Sequence, residues 1–213
     1  MGIIELMGQT KTKPSFLYIL LKRLRGISFL YEFYFKGKKT LDIGCGEGEF
    51  LKHDPKLIYG VDANARAIDA LKKQGFLVTE GNVKKLPFQN ESFEAVHCRN
   101  VIEHLNTKDA HMLITEAARV LKSGGLFVLA SEVPTKKFWD TFGHIKPYSP
   151  EAIIKLLRKE SREEFEGVDT LDYVDTFYFG DFFKNKILYF LSVMIAYYLP
   201  FLRREYFLVL KKP

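Results

Sequence analysis

The sequence predicts an α/β fold: a doubly wound, mostly parallel sheet with helices on both faces. Two observations carry that prediction. Short apolar runs alternate with longer segments of helical character from residue 38 to residue 160, the sequence form of repeated βαβ units. A glycine-rich stretch, Asp42-Ile43-Gly44-Cys45-Gly46-Glu47-Gly48, directly follows the first of those runs. Glycines at a strand-to-helix turn let the backbone come close to a ligand held at a helix N-terminus.

The elements follow in order. Residues 14–34 start with Pro14, run apolar around a Lys22-Arg23-Leu24-Arg25 island, and read as one long helix broken near Gly26. Residues 38–43 read as a strand, and 47–53 as a short helix after the glycine turn. Residues 57–62 form a continuous apolar run, as a buried parallel strand does. A helix over 64–74, strands over 76–80 and 93–98, and a helix over 107–121 come next. Ser123-Gly124-Gly125 separates that helix from a strand over 125–131, with glycine as the helix stop. Ser149-Pro150 opens a helix over 149–160, and a strand lies within 165–179. An apolar segment, 182–202, precedes a terminal strand over 204–211, which makes seven strands in all. There is no internal repeat and no low-complexity linker.

Composition bounds the class. The chain has 213 residues, 47% apolar and 27% charged, which suits one globular domain. Two cysteines, Cys45 and Cys98, make no disulfide framework, so a reducing cytoplasm is expected. They read as two small buried residues. No secretory signal or myristoylation pattern stands at the start. The net charge of +6 is uneven. Residues 1–39 hold eight Lys/Arg against two Glu, and 182–213 hold six against one, so the middle carries −5. A basic stripe over the main fold, the mark of many nucleic-acid binders, is missing.

The glycine spacing narrows the ligand. The dinucleotide pattern G-x-G-x-x-G, counted from Gly44, would need glycine where Glu49 stands. The P-loop pattern does not occur. Asp62 lies about 20 residues after Asp42, at the end of the second apolar run, where a carboxylate binds ribose hydroxyls. An acid beside the turn suits a ligand carrying an ammonium and a sulfonium better than one carrying phosphates.

Further stretches sharpen this. Gly60-Val61-Asp62, Gly81-Asn82-Val83 through Leu86-Pro87-Phe88, Ser92-Phe93-Glu94-Ala95-Val96 with Glu103-His104-Leu105, and Arg119-Val120-Leu121-Lys122-Ser123-Gly124-Gly125 follow the glycine turn in order. Over roughly 38–160 this set resembles the class I S-adenosylmethionine-dependent methyltransferases, close to the small-molecule branch called type 11. The resemblance implies a Rossmann-like seven-stranded sheet with an antiparallel last strand. It implies an N-terminal helical lid (1–37), a cofactor-binding core (38–181) and a closing apolar helix plus strand (182–213). It places S-adenosylmethionine against Asp42, Gly44, Cys45, Gly46, Gly48, Asp62, Ala63, Asn82, Val83, Cys98, Arg99 and Asn100. Asn82 departs from the family's usual acid at the adenine.

Methyl transfer by in-line displacement is what the resemblance implies, with alignment as the main contribution of the protein. The acceptor crevice lies outside the carboxyl ends of the strands. His104 and His144 are the candidate catalytic residues there, with Glu132, His144 and Tyr148 as candidate substrate contacts. The bland alternatives are that Glu103-His104 caps a helix and that His144 is a structural hydrogen-bonder. No metal site is expected. His97 and Cys98 would be the start of one, but adjacent strand residues point to opposite faces.

The acceptor is expected to be a small molecule or a lipid-like compound. Residues 187–202 carry no charge for sixteen positions, fewer than the about 20 needed to span a bilayer. Basic residues flank them, and the N-terminal helix has the same character. Such helices suit lid packing, a lipid-like acceptor, peripheral contact with an anionic membrane, or a dimer interface. The competing functions are a silent cofactor-binding or partner-binding module, an aminopropyl transferase and an RNA methyltransferase. No base-amination motif follows the fourth strand, where Cys98-Arg99-Asn100-Val101 stands.

Overall fold

The computed structural model describes residues 30–158, 160, 170–180 and 199–213. Seven strands form one sheet: β1 (Thr40–Ile43), β2 (Ile58–Asp62), β3 (Leu77–Glu80), β4 (Phe93–Arg99), β5 (Leu121–Glu132), β6 (Asp172–Phe179) and β7 (Glu205–Lys211). Their order is β3-β2-β1-β4-β5-β7-β6. Among the described strands only β7 runs antiparallel, to β5 on one side and β6 on the other. The expected doubly wound sheet with an antiparallel last strand is therefore present. The chain reverses its winding between β1 and β4, and that switch opens a crevice at the carboxyl edge of the sheet.

Side-chain alternation explains why both faces are covered. On one face Leu41, Ile43, Val96, Cys98, Phe127 and Leu129 pack in one apolar cluster with Leu113, Ile114 and Ala117 of α2 (Thr107–Val120) and Ile153 and Leu157 of α4 (Pro150–Leu157). On the other face Ala95, Val128 and Ala130 pack with Ile68 and Leu71 of α1 (Ala65–Lys73) and with Leu30, Tyr31, Tyr34 and Phe35. Strand residues of opposite parity thus feed two cores, as a two-sided sheet requires. Each of these helices has a side-chain cap. Asn64 accepts from Arg66 N and Ala67 N, Asn106 from Asp109 N, and Ser149 from Ala152 N. A short further helix, α3 (Lys136–Asp140), follows β5 and is capped by Thr135.

Several elements differ from expectation. The helix over 47–53 shrinks to a 3₁₀ turn, Leu51–His53. Gly46 and Gly48 have φ of +49° and +78°, so no right-handed helix can start before them. Ser123-Gly124-Gly125 does not end α2. Leu121 is already extended and paired with Phe93, and the glycines lie inside β5. Gly125 must be glycine there, because a Cβ would sit 2.9 Å from the Glu94 carbonyl oxygen. Of the expected helix over 14–34, residues 14–29 lie outside the described residues, as do 1–13 before it, and Tyr31–Phe35 forms a π-helical turn. Most of the apolar segment 182–202 also lies outside them, and Pro200–Leu202 forms a 3₁₀ turn.

Candidate functional site

The glycine turn leaves the carboxyl end of β1, and its three glycines serve different ends. A Cβ on Gly44 (φ +74°) would meet Val101 Cγ2 at 2.2 Å, and one on Gly48 would meet Leu71 Cδ2 at 2.6 Å. These two are glycine because the core presses on them. A Cβ on Gly46 would meet nothing within 4 Å among the described residues, so its bare face is where a ligand can approach the backbone. Gly44 N and Cys45 N both donate to Val61 O, which ties the turn to β2.

Two carboxylates hold this turn. Asp62 Oδ2 accepts from Gly46 N at 2.9 Å and Oδ1 accepts from Asn64 N at 2.8 Å. Each oxygen keeps a second lone pair. Asp42 is 3% exposed, and its Oδ1 lies 2.7 Å from His97 Nδ1 on β4. The β1–β4 register sets Asp42 directly opposite His97. Phe50 stacks on the His97 ring at 3.9 Å, and Phe35 meets its edge at 5.6 Å. Sequence reasoning considers His97 only as a metal ligand. Its pairing with Asp42 has no local signal, because the two stand on strands far apart in the chain.

The other residues expected at the cofactor follow β2 and β3. Ala63 and Asn82 are exposed and Val83 is partly buried. Asn82 Oδ1 accepts from Lys84 N at 2.9 Å, which commits one of its lone pairs to the turn. Arg119 clamps the following loop. It donates to Leu86 O, Phe88 O and Asn90 Oδ1, and it pairs with Glu116, which in turn accepts from Leu86 N.

At the end of β4 the neighbours part company. Cys98 is wholly buried in the core, and Cys45 is buried in the opposite one; both thiols are free. Any contact Cys98 makes with a ligand is therefore through its main chain. Burial pushes the Cys45 thiol up to about 12, with Asp42 and Asp62 adding to it, and burial raises Cys98 as well. Neither is a nucleophile at neutral pH. Arg99, expected among the cofactor residues, pairs with Glu205 of β7 through two bonds of 2.7 and 3.0 Å. Asn100 has φ of +55°, a left-handed conformation that asparagine tolerates. Both line a cavity of about 300 Å³ shared with Glu132, Thr135, Lys137, Arg204 and Glu205. Glu132 lies there as expected, 3.6 Å from Lys137 Nζ. Arg204, Glu205 and Lys137 were missed, because only the antiparallel return of β7 brings 204–205 beside β5.

The histidine pair does come together. The His104 and His144 rings are 4.9 Å apart. His104 Nδ1 is 2.8 Å from Gly143 O, and His144 Nδ1 is 3.0 Å from Phe138 O. A carbonyl only accepts, so both Nδ1 atoms carry the proton, and in the neutral ring each Nε2 keeps a lone pair. Glu103 beside them is fully buried. Its Oε2 accepts from Ser131 Oγ at 3.0 Å, and Oε1 has no hydrogen-bond partner among the described residues. Burial raises its pKa, against the lowering pull of its backbone bond, Ser131 and the two histidines. Glu103-His104 does not cap α2, since Asn106 does. Among the described residues, Tyr148 is placed in the core rather than in the cavity wall. It is 9% exposed, packs in the core, and donates its hydroxyl to Leu105 O at 3.0 Å. Trp139, Phe142 and Ile145 of the same connection are exposed.

A glycine turn at the switch point, with Asp42 inside β1 and Asp62 ending β2, sits on a sheet that matches the Rossmann-like fold of S-adenosylmethionine-dependent methyltransferases. Residues 41–129 match the family model described as a methyltransferase domain. A relative from Arabidopsis thaliana named "Probable methyltransferase PMT5" is 41% identical over 50% of this chain and 18% of its own length. "Probable tRNA methyltransferase 9B" of Mus musculus is 33% identical over 48% and 24%. A fatty-acid O-methyltransferase of Mycolicibacterium smegmatis is 30% identical over 46% and 39%. The match to these curated relatives thus spans about half of this chain and well under half of each relative. The structure of an S-adenosylmethionine-dependent methyltransferase from Archaeoglobus fulgidus superposes with a TM-score of 0.64 at 21% identity, over 93% of this chain and 100% of that one. No helix among the described residues is long and apolar enough to cross a membrane.

Proposed function

We propose that this chain methylates a lipid-like acceptor with S-adenosylmethionine as donor. The observation that carries the donor is Gly46: an open backbone position beside Asp62, at the point where the strand order reverses. The residues present fit the cofactor. Asp62 would hold the ribose hydroxyls, the turn 44–48 the amino-acid end, and Asn82 and Val83 the adenine. S-adenosylmethionine supplies a methyl group already activated on a sulfonium. The work left to the chain is orientation, worth roughly 7–11 kcal/mol of barrier. Asp42 and His97, locked together below the turn, keep it in one shape.

Across the crevice, His104 and His144 contact the acceptor or receive its proton through Nε2. A positioned base of this kind contributes about 10²–10⁴-fold when the nucleophile starts protonated. Lys137 and Arg204 in the cavity wall suit an anionic head group. Exposed Trp139, Phe142, Ile145 and Phe201 suit an apolar tail, and the fatty-acid relative supports the same reading. Peripheral contact with an anionic membrane follows from the same surface. An RNA acceptor is the second reading, favoured by the tRNA methyltransferase relative and by the basic ends. Transfer of label from methyl-labelled cofactor into lipid extract, small metabolites or RNA separates these. Label entering RNA alone would overturn the lipid reading, and no calorimetric binding of S-adenosylmethionine would overturn the donor. Flotation with anionic vesicles at low salt checks the membrane contact, and a protein that stays at the bottom removes it.

A further inference from the structure

Glu103 and His104 are chain neighbours and His144 comes from a separate loop, yet each brings one ligand atom within 4.8 Å of the others. Three features distinguish this cluster from a chance meeting of polar side chains. First, Glu103 Oε1 is buried with no hydrogen-bond partner among the described residues, although an unpaired buried carboxylate oxygen is costly and native structures rarely leave one. Second, each histidine gives its Nδ1–H to a main-chain carbonyl, Gly143 O or Phe138 O. That is the outer contact that fixes ring orientation and tautomer in metal-binding histidines and leaves Nε2 as the ligand. Third, the carboxylate itself is held from behind by Ser131 Oγ at 3.0 Å, and the Glu103 carbonyl accepts from Ile145 N at 2.8 Å. This last bond pins the 143–145 segment, and with it His144, against the end of β4.

We propose that Glu103, His104 and His144 form a binding site for a divalent first-row cation such as Mn²⁺ or Zn²⁺. Two imidazoles and one carboxylate are a mixed nitrogen and oxygen donor set suited to such ions. Three protein ligands leave further positions open. His104 is exposed and His144 half-buried, so those positions are reachable from solvent. A cation here would offset the buried charge of Glu103 and give Oε1 its missing partner. On the methyl-transfer reading, which this deepens, an acceptor hydroxyl at an open position would lose its proton to water more readily. The histidines would then act through the ion, and the favoured acceptor atom would be oxygen.

The test uses the full chain, stripped with EDTA and titrated separately with MnCl₂ and ZnCl₂ by calorimetry, with metal content measured after dialysis. The expected result is one bound ion per chain, with affinity falling tenfold or more, on the order of 10–100-fold, in His104→Ala, in His144→Ala and in Glu103→Gln. His104 is exposed, so His104→Ala keeps the fold and remains informative if Glu103→Gln does not. His111→Ala, on α2 and outside the cluster, should bind as the parent does. Substoichiometric binding of both ions, or undiminished binding in His104→Ala and His144→Ala, overturns the proposal. Calorimetry with S-adenosylmethionine in EDTA keeps the two readings apart. Cofactor binding without any cation binding overturns the cation site alone, whereas loss of cofactor binding overturns the donor assignment.

Discussion

Along the carboxyl edge of the sheet, the side made by β1 and β2 engages through main chain, and the side made by β4, β5 and β7 engages through side chains. On the first side the glycine turn, Val61 O and Asp62 lie close together in the chain, and the bonds between them are to backbone N–H groups. On the second side Arg99 meets Glu205 from the far end of the chain, and His104 meets His144 from a separate loop. The difference teaches why one half can be read from a short motif. Backbone geometry is dictated locally by glycines, whereas a side-chain cluster exists only once distant strands are paired. On the proposed reading, donor binding therefore rests on local conformation and acceptor binding on topology.

The largest effects should fall on the first side. Gly44→Ala puts a methyl group 2.2 Å from Val101 Cγ2 at a positive φ. It should cost about 1–3 kcal/mol of stability and reduce S-adenosylmethionine affinity by about 100-fold, readable by denaturant melts and calorimetry. Gly46→Ala is the sharper probe, because nothing described lies near its Cβ. It should cost only about 1 kcal/mol yet lose cofactor affinity as severely. Equal affinity in Gly46→Ala and the parent would break the comparison outright. His104→Ala, on the other side, should leave cofactor affinity within about twofold while abolishing acceptor turnover.

A smaller effect is expected at the far edge. Arg99→Ala strands Glu205, whose side chain is 5% exposed, without its cation. Removing one partner of a wholly buried pair costs about 3–5 kcal/mol. Arg99 is itself 30% exposed, so solvent screening lowers the expected loss to about 2 kcal/mol, and Glu205→Gln in the same chain should return part of it.

The pH dependence at Glu116 is smaller again. Its hydrogen bond from Arg119 holds the carboxyl below the ordinary 4.5. Its stabilising contribution is therefore fully present above that value and is lost as pH falls through the depressed one. Acid melts of Arg119→Ala should lack this component, and the loop 86–90 should exchange its amides faster. The smallest expected signal is at the thiols. With Cys45 up at about 12 and both thiols buried, the folded chain should resist thiol reagents at pH 8 and react fully on unfolding.

Strand and helix order was legible wherever local rules operate. Apolar runs marked β1, β2 and β4, and Ser149-Pro150 marked the start of α4. Rules failed where tertiary pairing overrode them. Ser123-Gly124-Gly125 looked like a helix stop, but burial of Leu121 beside Phe93 drew the chain into β5 before the glycines. Tyr148 looked like a pocket residue, but its ring fills the core and Leu105 O takes its hydroxyl. The cavity wall was half visible: Arg99, Asn100 and Glu132 came from positions after parallel strands, while Lys137 and Arg204 gave no pattern at all.

The sequence by itself determined the parallel α/β order, the glycine turn after β1 and the acid ending β2. Each depends on residues close in the chain, whose preferences act before any long-range contact forms. Only the tertiary structure decided that Asp42 is locked to His97, that Glu205 closes on Arg99, and that Glu103, His104 and His144 converge. Those contacts depend on strand order and register, which bring together groups that no spacing rule connects.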